Sequence, residues 1–191
     1  MQPLIWYIHG LQSTHRSFNF LKSKFPEHEY VDVMYDANES MIRLVETLVA
    51  RIESQDRPLI LVGHSLGGVI AAAVATRTTK VTKVATLSSP FGGSKVASLL
   101  RWMCMSPSLD NIHPHSALMN DIRRSRVRQP TLSVVTTGGS TPLIGEDNDG
   151  VVTVASQKEI KGPIFFERDV NHFEVLLCED VAELLGGFLF E

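Results

Sequence analysis

A serine with a glycine two residues to either side, Gly63-His64-Ser65-Leu66-Gly67-Gly68, separates the apolar run Leu59-Ile60-Leu61-Val62 from the alanine-rich run Val69-Ile70-Ala71-Ala72-Ala73-Val74-Ala75. The first run reads as a strand and the second as a helix. The pattern is therefore the G-x-S-x-G elbow, in which a serine tops a strained strand-to-helix turn. Gly63 and Gly67 fall where side chains would collide as the chain reverses, and glycine tolerates both the crowding and the unusual dihedrals. The helix that starts after Ser65 aims free N–H groups and the positive end of its dipole at the hydroxyl. This is a setting for nucleophilic attack on a carbonyl, with the oxyanion forming at the helix start. A serine hydroxyl is too weakly acidic to attack unaided, so the rest of the chain must supply a base, an acid and a further oxyanion donor.

The elements that must position those groups alternate along the chain. Candidate strands are Leu4–Ile8, Tyr30–Met34, Leu59–Val62, Lys83–Leu87, Thr131–Thr136 and Pro163–Arg168. Helical patterns fall at about Ser17–Phe25, Ser40–Ser54, Leu66–Thr76, the long stretch Ser94–Val127, and Phe173–Phe190 with Val175, Leu176, Val181, Leu184 and Leu185 on one side. Such alternation predicts an α/β fold, a mostly parallel sheet of about six strands with helices on both faces. Sheets of this kind place their chemistry outside the carboxyl ends of the strands. The unusual residues fall there: His9-Gly10-Leu11, Ser65, Ser88-Ser89-Pro90-Phe91-Gly92-Gly93, Gly138-Gly139 with Glu146-Asp147-Asn148-Asp149-Gly150, and Asn171-His172.

Of the seven histidines, His172 alone follows the last strand and opens the final helix, where it can serve as the base that takes and returns the Ser65 proton. Asp149 is the candidate acid that orients it. By residue type Glu146 and Asp147 compete in the same loop, and an acidic turn closed by Gly150 is also ordinary loop composition; the following Val151-Val152 favours Asp149. A calcium loop is excluded, because an EF-hand register on Asp149 and Gly150 puts Gly145 at the first ligand position and Ser156 at the bidentate twelfth. His64 is expected to pack off the elbow and His9 to scaffold its loop. His113 and His115 lack Cys, Asp or Glu partners at ligand spacing, so no metal is expected.

The 191 residues, 43% hydrophobic, suit one soluble domain, 1–191, with a substantial core. A net charge of −3 gives no reason to expect a nucleic-acid partner. Arg123, Arg124, Arg126 and Arg128 read as the solvated end of a helix. Cys104 and Cys178 are too few and too scattered for a disulfide framework, and their apolar neighbours suggest buried reduced thiols. The N-terminus runs into a strand with no basic region or cleavage site, and no apolar stretch approaches a membrane span, so a cytoplasmic location is the expectation. Oligomeric state has no signature in the sequence.

With these residues in hand, the chain resembles the α/β-hydrolase family, more narrowly its compact bacterial lipases and the GPI inositol-deacylase-like hydrolases. The family order of serine, acid and histidine is matched by Ser65, Asp149 and His172. His9-Gly10-Leu11 is similar to the His-Gly loop that supplies one oxyanion donor, and Ser89-Pro90-Phe91-Gly92-Gly93-Ser94 to a Thr-Pro-His-x-Gly-Ser segment with Phe91 in place of histidine. Asn148-Asp149-Gly150-Val151-Val152 and Asn171-His172-Phe173 resemble the acid and base loops, and Pro114-His115-Ser116 with Leu118 and Ile122 a segment before the fifth strand. The resemblance runs from His9 to about Phe190 and implies a minimal α/β-hydrolase fold lacking the family's first two strands. It implies an oxyanion hole made by the backbone N–H groups of Leu11 and Leu66. It also makes 94–128 a short helical insertion near the site. Most of its apolar residues (Leu99, Leu100, Leu109, Ile112, Leu118, Met119) are expected to pack on the sheet, while Phe91, Trp102, Met103 and Met105 are the candidate pocket residues. The implied activity is hydrolysis of small-molecule or lipid-like carboxylic esters through an acyl-enzyme on Ser65, without a cofactor. A thioesterase, acyltransferase or peptidase would use the same groups. A non-catalytic binding module would have no need of all three.

Overall fold

The computed structural model describes residues 2–93, 113–139, 141 and 144–191. Six strands form one sheet: β1 (Leu4–Ile8), β2 (Tyr30–Val33), β3 (Leu59–His64), β4 (Val81–Leu87), β5 (Thr131–Thr136) and β6 (Ile164–Arg168). Their order is β2-β1-β3-β4-β5-β6 and every neighbouring pair is parallel. A parallel sheet is covered on both faces, which is why β1, β3 and β5 are buried along their whole length and read as unbroken apolar or small-residue runs.

Alternate strand residues feed two cores. Trp6, Ile8, Leu59 and Leu61 pack with α2 (Met41–Glu53), α3 (Leu66–Ala75) and α4 (Ala117–Arg124). Ile5, Tyr7, Ile60, Val62, Leu132 and Val134 face the other way, toward Phe18, Leu21 and α6 (Glu179–Phe190). Two short helices, α1 (Asn19–Lys24) and α5 (Val154–Gln157), complete the α-helices among the described residues. In α2 the buried residues Met41, Val45, Leu48 and Ile52 form the stripe expected of one amphipathic face. All ten residues of α3 are buried, because its glycines and alanines let it lie close against the sheet.

From β1 the chain moves outward to β2 and then returns past β1 to β3. The strand order therefore reverses between β1 and β3, and the crevice at their carboxyl ends is where such a sheet accepts a ligand. Gly10 and Ser65 stand on its two sides.

Two expectations about elements are corrected. The stretch expected as one helix over Phe173–Phe190 is a single 3-10 turn, Glu174–Leu176, then a break at Leu177-Cys178 before α6. Cys178 is extended and Glu179 and Asp180 follow in the first turn, so a new helix starts there with acids at its positive end. Cys178 is itself half-buried rather than buried. Residues 94–112 of the expected helical stretch Ser94–Val127 lie outside the described residues, and its described part carries α4, capped by the Ser116 hydroxyl, which accepts from the Met119 N–H. Of the four arginines only Arg123 and Arg124 lie on that helix, and Arg123 is half-buried against Asn120 and Glu159.

Candidate active site

Ser65 sits directly after β3 with φ 53° and ψ −124°, a left-handed conformation that L-residues rarely adopt. What holds it is close backbone approach on both sides. A Cβ on Gly67 would lie 2.0 Å from the Ile8 carbonyl oxygen, and one on Gly63 would lie 2.4 Å from the Gly67 oxygen. The Ser65 N–H is bonded to the Leu87 carbonyl at 2.9 Å. The first bonds of α3 run from Gly68 and Val69 to the Ser65 carbonyl, so the N–H groups of Leu66 and Gly67 precede them at the open end of the helix.

The loop after β1 lies against the serine, since a Cβ on Gly10 would come within 3.0 Å of Ser65 Cβ. Tyr35, just past β2, braces that loop. Its hydroxyl donates to the His9 carbonyl at 2.7 Å, and its ring stacks on the His9 imidazole with centroids 4.5 Å apart. Burial raises the Tyr35 pKa, so the hydroxyl keeps its proton and stays a donor. Leu11 follows, half-buried at the mouth of the crevice.

His172 arrives from beyond β6, the far edge of the sheet. Asn171 and Glu174 form a capping box around it. The Asn171 side chain accepts from the Phe173 and Glu174 N–H groups, and the Glu174 carboxylate accepts from the Asn171 N–H. Two bonds then tie His172 to Asp149: its N–H donates to the Asp149 carbonyl at 3.0 Å, and Nδ1 lies 2.8 Å from Asp149 Oδ2. A third bond brings it to the elbow, where His64 Nε2 is 2.8 Å from the His172 carbonyl oxygen. A carbonyl can only accept, so His64 carries its proton on Nε2.

Asp149 is 1% exposed, and burial alone would raise its pKa. The His172 hydrogen bond and charge, the Thr136 hydroxyl and the Val152 N–H outweigh that and hold the carboxyl below the ordinary carboxylate range. Oδ1 accepts from the N–H groups of Val151 and Val152 at 3.0 and 2.7 Å, and Oδ2 from Thr136 Oγ1 at 2.6 Å as well as from His172. Glu146 and Asp147 are exposed. His64 moves the other way. Burial, then the neighbouring His172, push its pKa down to about 3, so its imidazole is neutral.

The structure thus brings Ser65, His172, Asp149, the Gly10 loop and the start of α3 to one edge of the sheet. Phe91 is fully buried in the core cluster that contains Leu66 and Ile70, rather than on an open wall. Trp102, Met103 and Met105 lie outside the described residues. A groove of about 320 Å³ runs beside the acid and base loops, lined by Gly138, Gly139, Gly150, Val151 and Phe173 together with Asp149 and His172. Phe173 stands over the imidazole edge-on, with centroids 5.1 Å apart, and is 63% exposed. Sequence reasoning missed Thr136, Tyr35 and Gln157, and gave Ser88, singled out at its strand end, no role. The available signal was position: Thr136 ends β5, Tyr35 is the second residue after β2, and Ser88 follows β4 directly.

Among the described residues no group of three or more His, Cys, Asp or Glu side chains could hold a metal ion, and no helix is long and apolar enough to cross a membrane.

A fully parallel sheet with the serine elbow after its third strand and a buried acid–histidine pair delivered to the same edge defines an α/β-hydrolase fold. A family model described as "Serine aminopeptidase, S33" matches residues 9–144, and the chain belongs to that hydrolase family. Comparison with curated proteins gives no match. Among solved structures, the mature form of the lipase BlEst2 from Bacillus licheniformis superposes with a TM-score of 0.73 at 16% identity, covering 98% of this chain and 92% of the lipase. A lipase-esterase related protein from Clostridium acetobutylicum gives a TM-score of 0.67 at 14% identity, covering 97% and 94%. An α/β hydrolase enzyme, MGS-MChE2, from a sediment metagenome gives 0.70 at 16% identity, covering 98% and 90%. Identities this low carry the fold alone.

Proposed function

We propose that this protein is a serine hydrolase that cleaves carboxylic esters through an acyl-enzyme on Ser65. The observation that carries the reading is the buried Asp149–His172 pair, with the His172 carbonyl bonded to the residue immediately before Ser65. In this reading His172 Nδ1 is occupied by Asp149, which leaves Nε2 to take the Ser65 proton as Oγ attacks the ester carbonyl. The backbone N–H groups of Leu11 and Leu66 receive the oxyanion, and each such donor is worth ~10²–10³ in turnover. His172 then hands its proton to the leaving alkoxide, and the same steps with water as nucleophile release the acid. Asp149 stays ionised throughout, holding the tautomer and stabilising the imidazolium.

Small or lipid-like esters are the proposed substrates. The resemblance to compact bacterial lipases and GPI inositol-deacylase-like hydrolases supports that choice, as does the exposed Phe173 ring beside the base. A cytoplasmic setting and a single domain over 1–191 belong to the same reading, while residues 94–112 of the expected insertion lie outside the described residues. The family description favours a second reading, in which the leaving group is an amine and the protein is a peptidase. The test is turnover of p-nitrophenyl esters of rising chain length against aminoacyl p-nitroanilides. Ester turnover that depends on Ser65 and varies with chain length is expected. Turnover of the anilides alone would transfer the assignment to the peptidase.

A further inference from the structure

The acid is gripped from outside its own loop by a buried set of polar side chains that ester hydrolysis does not by itself require. Ser88, Thr136, Asp149 and Gln157 are all at most 1% exposed. Thr136 Oγ1 lies 2.6 Å from Asp149 Oδ2 and 2.9 Å from Ser88 Oγ. A hydroxyl has one proton, and an ionised carboxylate can only accept. The Thr136 proton is therefore committed to Asp149, and Ser88 must donate to Thr136. The bonds run in one direction: Ser88 O–H to Thr136 O–H to the Asp149 carboxylate, which His172 approaches from the other side.

The backbone is arranged to keep this order. The Gln157 amide bonds both main-chain groups of Thr136 as a neighbouring strand would, accepting from its N–H at 2.9 Å and donating to its carbonyl at 2.9 Å. Gln157 Nε2 also reaches Asp149 Oδ2, at 3.4 Å. Ser88 holds φ at 50°, a strained value for a residue with a side chain, and its N–H is tied to the Val134 carbonyl at 3.0 Å. The next residue, Ser89, packs against the elbow helix so closely that a Cβ on Gly68 would lie 1.9 Å from its Oγ. The turn after β4 thus touches the helix behind Ser65 on one side and the acid's support on the other.

We propose that Thr136, backed by Ser88 and Gln157, is a positioning residue for the proposed acid: its hydroxyl, carried on a rigid strand end, sets where the Asp149 carboxylate points and keeps it ionised beside His172. This rests on the reading of Ser65, His172 and Asp149 as a hydrolytic site. A loop carboxylate held only by its own backbone N–H groups could turn away from the imidazole, and the hydroxyl from β5 prevents that. The consequence is chemical as well as geometric. An Asp149 relieved of one donor takes up a proton at higher pH, and a protonated acid no longer stabilises the imidazolium.

The test compares wild type with Thr136→Val, which keeps the shape and loses the hydroxyl, and Thr136→Ser, which keeps the hydroxyl. The readout is the second-order rate of labelling by a fluorophosphonate across pH. The valine variant is expected to label about ten- to a hundredfold more slowly, the worth of one hydrogen bond to a charged group. Its low-pH limb, where the base takes up its proton, should move to lower pH because the carboxylate stabilises the imidazolium less, while the serine variant stays near wild type. A merely structural role for Thr136 would lower folded protein without moving the limb. Should the valine variant fold poorly, Ser88→Ala removes the donor one bond further out and should move the limb the same way by less. An unmoved limb in the folded variants, or a serine variant as slow as valine, would overturn the proposal. Labelling that persists in Ser65→Ala would instead overturn the hydrolase reading on which it rests.

Discussion

His64 Nε2 donates to the carbonyl oxygen of His172 across 2.8 Å, joining the residue before the serine to the residue proposed as its base. The two rings sit 4.9 Å apart, and both are buried. His64 Nδ1 is buried without a hydrogen-bond partner and faces Gly10. This histidine is held neutral by its surroundings, so its part is to anchor the far loop rather than to carry protons.

That neutrality has a measurable consequence. The unfolded chain protonates His64 as pH falls below 6.5, whereas the folded protein does not until about 3. The unfolded state then binds more protons, so the stability His64 contributes is complete above 6.5 and lost as pH drops toward 3. In His64→Gln, which keeps a side-chain donor and does not titrate, the difference in urea stability between pH 7 and pH 4.5 should narrow. An undiminished difference would count against a buried neutral His64.

The acid assignment separates cleanly by substitution. Asp149→Asn should lower kcat by about 10³–10⁴-fold, because the amide cannot hold the tautomer or stabilise the imidazolium. Asp147→Asn, in the same loop but exposed, should stay near wild type. The Asp149 carboxyl is held below its ordinary value of 3.8, so the stability it adds is present above that pH and is lost as pH falls through the lower folded value. Acid unfolding below about pH 4 should therefore be less steep in Asp149→Asn than in wild type. Loss of activity in the Asp147 variant alone would move the assignment.

The elbow glycines differ from the loop glycines in what surrounds them. A methyl at Gly67 would sit 2.0 Å from the Ile8 carbonyl oxygen, where only backbone is available to move. Gly67→Ala should cost at least about 3 kcal/mol, the upper end of ordinary single substitutions. Gly145 has nothing within 4 Å of its Cβ position, and Gly145→Ala should fall within about 0.5 kcal/mol of wild type. Thermal melting of the two variants decides it, and equal melting temperatures would mean the elbow is not closed as described.

Much of this architecture was legible because local pattern and tertiary role coincide. The apolar runs at Leu4–Ile8, Leu59–Val62 and Thr131–Thr136 are buried strands, and Gly63, Ser65 and Gly67, set between an apolar run and an alanine-rich one, announce a strand-to-helix turn. His172 could be placed because it is alone after the last strand. Other features have no local signature. Thr136 and Gln157 matter through contacts across 13 and 8 residues of chain, and a threonine at a strand end or a glutamine in a short helix is unremarkable in type. The break at Leu177-Cys178 escaped because neither residue is a helix breaker, and Phe91 because a turn residue after a strand gives no hint of being folded back into the core.

The central claim is that Ser65 is an activated nucleophile, and covalent labelling by a fluorophosphonate followed by mapping of the modified peptide tests it most directly. The native protein should label at Ser65, and Ser65→Ala, folded to the same melting temperature, should not label. Equal labelling of both proteins, or modification at a different residue, would contradict the account.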